Sequence, residues 1–258
     1  MPIKVLFYTA IEGELGVLAA ALAFLRKEFG PIVEARAFAK REVSDPGKEE
    51  ELVAEASECH FLLLRTMGGV ESLPGSRRLA VLARERDIPL AIIPSAGEEG
   101  EEQRQLSHLS EEDYHLVRLF VSYGGRDNYR RLLLWAASRF GGRELPVEEP
   151  RPLPWEGFYH PNYPGTDVAE YLATRLGEGK PVVGILFYQS YWVAGNTGFV
   201  EELIRQVEEL GGVALPVFLY ATRNDELGSR GIAWVVENYF YRSGRPVVDV
   251  VLNTLMFA

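Results

Sequence analysis

Short, fully apolar runs alternate along this chain with longer stretches in which apolar residues return every third or fourth position. The first pattern marks strands buried on both faces, the second amphipathic helices. Residues 3–8 read as the first strand, and 12–29 as a helix that turns Leu15, Leu18, Ala19, Leu22 and Leu25 inward before Gly30-Pro31 breaks it. A second strand at 32–38, a charged surface helix at 48–57, a third strand at 60–65, a helix at 76–86 and a fourth strand at 89–94 follow. That alternation calls for a parallel sheet with right-handed crossovers, so a flavodoxin-like α/β domain is expected over residues 1–140.

Residues 98–109 are polar and read as an exposed loop. Two helices, 111–122 and 128–140, come next; Asp127 or Asn128 is the expected cap of the second, and the pair is expected to bridge to the following domain. Residues 141–165 carry Pro146, Pro150, Pro152, Pro154, Pro161 and Pro164, which exclude regular helix. They also carry Trp155, Phe158, Tyr159 and Tyr163, too much aromatic surface for a free linker, so an ordered connecting strap is expected.

Residues 166–258 read as a second, smaller Rossmann-like α/β domain. Thr166 is the expected cap of a helix at 167–176, and a strand at 182–188 leads to the loop residues Gln189, Ser190, Tyr191 and Trp192. Gly195, Asn196 and Thr197 then open a helix whose Phe199, Val200, Leu203, Ile204, Val207 and Leu210 follow the helical period; Asn196 or Thr197 is the expected cap. Gly211-Gly212 ends it, a strand at 213–220 returns, and a helix at 230–241 precedes a third strand at 247–252, with Asn253, Thr254, Met256 and Phe257 at its carboxyl end. Three strands with few helices make an incomplete layer whose apolar faces call for further cover.

With 258 residues, 47% hydrophobic and 25% charged, the chain has the composition of an ordinary globular protein. Its net charge of −10 argues against binding nucleic acid through the phosphate backbone. The acidic clusters at 49–51, 98–102 and 111–113 read as solvated faces. One cysteine and four scattered histidines exclude a disulfide framework and a Cys/His zinc cluster, and fit a reducing, cytoplasmic setting. The opening residues lack the pattern of an export signal, and no apolar run reaches the roughly 18 residues of a membrane span.

Ligands of open α/β sheets sit beyond the carboxyl ends of the strands. Thr9, Glu12 and Gly13 stand there in the first domain, with Arg65 and the flexible Met67-Gly68-Gly69, a pairing able to admit a carboxylated ligand, and residues 95–98 after the fourth strand. The glycine spacing matches neither a P-loop nor a dinucleotide fingerprint. In the second domain Tyr191 and Trp192 offer flat faces for stacking, while Asn196 and Thr197 stand where free backbone N–H groups open a helix. His160, between Tyr159 and Pro161, either pins the strap or exchanges protons near neutral pH. His60, beside Cys59, reads as core packing; His108 and His115 lie near acidic segments.

The stretch GILFYQSYWVAGNTGFVEELIRQVEELGGVALPVFLY resembles the large subunit of cobaltochelatase and the related H subunit of magnesium chelatase. So do VVDVVLNTLMFA, LLLRTMGGVESLPGSRRLAVLARERDIPLAIIPS and PWEGFYHPNYPGTDVAEYL, and the order of the pieces is kept over nearly the whole chain. Chains of that family are much longer, so the resemblance implies an N-terminal portion of such a subunit. It implies an ATP-dependent ligase of cobalamin biosynthesis that inserts cobalt into a corrin precursor, a tetrapyrrole, with ATP hydrolysed by separate AAA+ partner subunits. A magnesium chelatase H-type subunit, or a non-catalytic docking or tetrapyrrole-binding module, is the alternative. Gln189, Ser190, Tyr191, Trp192, Gly195, Asn196 and Thr197 match the family motif and, with His160, are the expected substrate contacts. No catalytic residue, bound metal or resident cofactor is assigned to this portion, which alone is expected to be inactive; its partners are the ATPase subunits and the rest of the large subunit.

Overall fold

A computed structural model of the protein describes residues 1–95, 100–177, 179–225 and 227–256, without the side chains at 44 and 46. Residues 96–98, part of the stretch singled out after the fourth strand, and Phe257 lie outside the described residues. The chain divides into two compact units, Met1–Leu153 and Pro154–Ala258.

The first unit follows from its apolar runs. β1 (Ile3–Thr9), β2 (Val33–Ala39), β3 (Phe61–Thr66) and β4 (Leu90–Pro94) form one parallel sheet in the order β2-β1-β3-β4. All of β3 and β4 is buried, as their unbroken apolar sequence requires. Leu6, Tyr8, Leu62, Leu64, Leu90 and Ile92 share one core with α2 (Pro46–Ser57) and α3 (Ser76–Glu85). On the other side α6 (Gly125–Gly141) packs along α1 (Gly13–Phe29), and its Tyr129 and Trp135 meet Phe7 and Phe61 edge to face.

Several local readings change. α1 turns Val17, Leu18, Ala21 and Leu25 inward and leaves Ala19 exposed, because the alanines at 19–21 give the helical period no polar marker. Within the stretch read as a loop, Glu101–Leu106 is a helix, α4, held by the buried Gln103, whose Nε2 donates to Thr66 Oγ1 and to the Gly68 carbonyl. α5 (Glu111–Tyr123) and α6 lie inside the first unit, packed on β4 and on α1, rather than bridging out of it. α6 begins at Gly125, ahead of the expected cap. Gly124 and Gly125 both take positive φ, 63° and 77°, so the chain reverses there without a side-chain cap.

Asn128 is free for other work. Its Nδ2 donates to the Gly124 and Arg151 carbonyls, and its Oδ1 accepts from the Arg151 N–H, so the buried amide grips the strap as a neighbouring strand would. Beside it Arg131 donates to the Glu149 carbonyl and pairs with Glu148. Asn128→Ala removes all three bonds and leaves buried backbone groups unpaired, about 1–3 kcal/mol. The expected outcome is faster tryptic cleavage after Arg143, followed by gel electrophoresis.

In the second unit β10 (Val250–Asn253), β6 (Val182–Tyr188) and β7 (Val213–Leu219) pair in parallel, and the strap supplies a fourth strand. This strand, β5 (Gly157–Phe158), runs antiparallel to β7. Two residues flanked by prolines leave no periodic signal, so the sequence pattern hides them. The strap's Glu156 caps α10 (Gly231–Tyr239): its Oε1 accepts from the N–H groups of Arg230, at 2.5 Å, and Gly231. α10 stops short of 241, and a small hairpin of β8 (Tyr241–Arg242) and β9 (Arg245–Pro246) follows. α7 (Val168–Arg175) is capped by Asp167, whose carboxylate accepts from Ala169 N–H, rather than by Thr166. Gly184 is obligatory in β6, since a Cβ there would stand 2.8 Å from the Phe240 ring.

Candidate functional site

Beyond the carboxyl end of β6, the stretch read as a loop is a single helical turn, α8 (Gln189–Val193), followed by Gly195 with φ of 67° and then α9 (Gly198–Glu209). The sequence-predicted residues divide by height. Gln189 and Thr197 are buried, Trp192 is half-buried, and Ser190, Tyr191, Gly195 and Asn196 are exposed. Gln189 Nε2 donates to the Pro154 carbonyl and ties the turn to the strap. The Trp192 indole lies flat on Phe218 of β7, with ring centres 4.3 Å apart and planes 5° apart. Above it Tyr191 and Phe199 meet edge to face at 5.0 Å, and both rings are exposed.

Thr197 holds the cap position of α9 but does not cap it. Its hydroxyl and that of Tyr159 both donate to Glu201 Oε1, at 2.7 and 2.6 Å. The two hydroxyls hold the Glu201 carboxyl below the usual carboxylate range, Tyr159 most strongly. Burial, then Glu201, raises the Tyr159 phenol. Glu201, Phe199 and Glu156 were not among the sequence-predicted residues. The signal for Glu201 was its spacing, one helical turn after Thr197; nothing local ties either residue to Tyr159 in the strap.

His160 is set apart from this turn. Its ring is fully buried among Phe158, Tyr163 and Tyr171, and Nε2 stands 3.4 Å from Glu208 Oε1 at the far end of α9. Glu208 and Thr197 are separated by about 16 Å along that helix, at 1.5 Å per residue. Nδ1 accepts from the Asn162 N–H, so the neutral ring carries its proton on Nε2, towards Glu208. Arg175 Nη2 also binds Glu208 Oε1, at 2.5 Å. Nearby, burial first and Glu208 second push the Tyr171 phenol up to about 12.

Burial lowers the His160 pKa, and this outweighs the opposing pull of Glu208. A histidine with a folded pKa below its unfolded value of about 6.5 gives stability that is whole above that value and declines as the pH falls through the window beneath it. Unfolding of the second unit should therefore become easier from pH 7 towards pH 5. Chemical denaturation of His160→Gln should show that part of the acid dependence removed.

In the first unit, the carboxylate that Arg65 binds is the chain's own. Its Nε and Nη2 reach Glu14 and its Nη1 donates to the Pro94 carbonyl at 2.6 Å, so the expected opening for a carboxylated ligand beside Met67-Gly68-Gly69 is already taken. Thr9 Oγ1 donates to the same carboxylate. Tyr129 Oη is buried beside the pair, and burial raises its pKa well above the ordinary phenol range. Cys59 is buried as expected, but His60 is exposed, its Nδ1 accepting from Lys4 N–H at the sheet edge. Among the described residues no group of three His, Cys, Asp or Glu could hold a metal ion, and no helix is long and apolar enough to cross a membrane.

Comparison with known proteins adds a family. A family model described as CobN/Magnesium Chelatase matches residues 118–258, which include the turn, α9 and the strap. An uncharacterized protein of Methanocaldococcus jannaschii is 32% identical over 81% of this chain and 17% of its own length. The aerobic cobaltochelatase subunit CobN of Sinorhizobium sp is 27% identical over 100% of this chain and 20% of its own length. Among solved structures, the catalytic subunit of cobaltochelatase from Mycobacterium tuberculosis superimposes with a TM-score of 0.54 at 20% identity, over 87% of this chain and 17% of that one; the likeness is one of fold. The chain thus spans a fifth or less of the length of each of these proteins.

Proposed function

We propose, from the premise that the chain belongs to the CobN/magnesium chelatase family, that it serves in the large, tetrapyrrole-binding subunit of an ATP-dependent cobaltochelatase. Its substrate is a cobalt-free corrin precursor, and ATP is hydrolysed by separate AAA+ subunits in the cytoplasm. Two CobN relatives of this chain are named aerobic cobaltochelatase subunits, which supports cobalt over magnesium.

The observation that carries the reading is the build of the turn inside the matched residues. A rigid base of Trp192 on Phe218, with Glu201 holding Thr197 and Tyr159, lifts an exposed aromatic pair and the polar Ser190 and Asn196 to the surface. Tyr191 and Phe199 offer apolar faces to a macrocycle, and Asn196 with the first N–H groups of α9 offers donors to its carboxylate or amide arms. Glu201 is a weak base for removing pyrrole protons, because the two hydroxyls that donate to it lower its affinity for a proton. Deprotonation and stripping of water from the metal fall to other parts of the subunit.

Titrating the protein with a cobalt-free corrin precursor, followed by absorbance in the Soret region, should give a saturable shift at roughly micromolar ligand. Tyr191→Ala should weaken it about tenfold, or ~1.4 kcal/mol, and protoporphyrin should bind less tightly. Unchanged spectra with an unchanged melting temperature would leave a docking module as the reading.

A further inference from the structure

Sheet edges offer unpaired backbone groups, and proteins blunt them with charge, proline, short length or a covering segment. Among the described residues, three of the four edges in the two four-stranded sheets are treated in this way. β2 alternates Glu34 and Arg36 with small residues, and Arg36 pairs with Glu55. β4 is buried throughout and bridged at Leu90 by His108. β5 is two residues long and belongs to the proline-rich strap.

The fourth edge, β10, is four residues long and, among the described residues, carries no charged side chain, proline or covering segment. Among the described residues it pairs on one side only, with β6, in a parallel register from Val250↔Val183 to Asn253↔Leu186. It is firmly seated there: Asp249 N–H donates to the Val182 carbonyl, Asp249 Oδ2 accepts from Val182 N–H, and Thr254 N–H donates to the Leu186 carbonyl. Yet Val250, Val251 and Leu252 are 49, 39 and 37% exposed, and Met256 beyond them is 79% exposed. Successive strand residues face opposite sides of a sheet, so Val250 and Leu252 are open on one face and Val251 on the other. Apolar residues on both faces are the pattern of an interior parallel strand.

We infer that β10 is a docking edge for further polypeptide of the CobN-type large subunit, which adds a strand beside it and covers Val251 on one face and Val250 and Leu252 on the other. The inference rests on the functional reading above for the identity of that polypeptide. Its supply is plain in the comparisons, where the aligned part is 20% of the Sinorhizobium subunit. A second copy of this chain fits poorly. Four residues of edge joined about a two-fold axis bury far less than the roughly 1,600 Å² of a standard interface.

The test mixes the 258-residue protein with the unaligned remainder of the Sinorhizobium CobN subunit and measures association by sedimentation velocity. A one-to-one complex is expected, weakened at least tenfold by Val251→Lys and by Leu252→Lys, each of which leaves the melting temperature of the protein alone unchanged. No complex at tens of micromolar, a complex indifferent to both substitutions, or self-association abolished by them would overturn the inference. Corrin titration of the protein alone reads the functional proposal separately, so the two can fail independently.

Discussion

Replacing Glu14 by alanine is expected to lower the stability of the first unit by about 3–5 kcal/mol, the cost of leaving a buried charge without its partner. The Arg65 side chain is only 3% exposed, and Glu14 is the carboxylate it binds. Arg65 cannot shed its proton to escape the penalty, since guanidinium stays charged at any pH the fold survives. The opposing charge must come from the chain, and Thr9 holds it in place from β1. The double variant Glu14→Leu with Arg65→Met should recover a large share of the loss, because paired apolar replacements of similar volume remove both desolvation penalties. Urea denaturation of the wild type, both single variants and the double variant gives the coupling directly. Equal losses in the single and double variants would show that the carbonyl contacts of Arg65 matter more than its charge.

The second large effect is expected at Gly157. A Cβ there would stand 2.6 Å from Cζ of Phe218, the ring on which Trp192 is stacked. Nothing at that distance is tolerated, so Gly157→Ala must displace either the strap or Phe218. Overpacking of this kind costs about 1–3 kcal/mol. Displacing Phe218 also tilts Trp192 and with it the turn that carries Tyr191, so corrin binding should weaken along with stability. Gly165→Ala is the control: it lies in the same strap at positive φ with open space around it, so it strains only its own backbone. Thermal melts and corrin titrations of the two variants should differ in binding more than in melting temperature.

The strands and long helices were legible because each carries a strong period or an unbroken apolar run; the parallel order in the first unit follows from their alternation. What the pattern hid was short or was held from a distance. α4 spans six residues, β5 spans two, and both depend on partners far along the chain: Gln103 on Thr66 and Gly68, and Gly157 on Phe218. The caps misled for the same reason. Asn128 and Thr197 have cap-forming side chains, yet one grips the strap and the other serves Glu201. At the candidate site the exposed residues Tyr191 and Asn196 were visible in the sequence, whereas the support beneath them came from Tyr159 and Phe218, on other elements. His160 was singled out for its chemistry, but the fold puts it at the opposite end of α9 with Glu208 and Arg175.

Amide hydrogen exchange with and without the cobalt-free corrin precursor tests the central claim most directly. Protection concentrated at residues 190–200, the exposed turn and the first turn of α9, is the result this account predicts. Exchange unchanged there while the ligand binds elsewhere would contradict it.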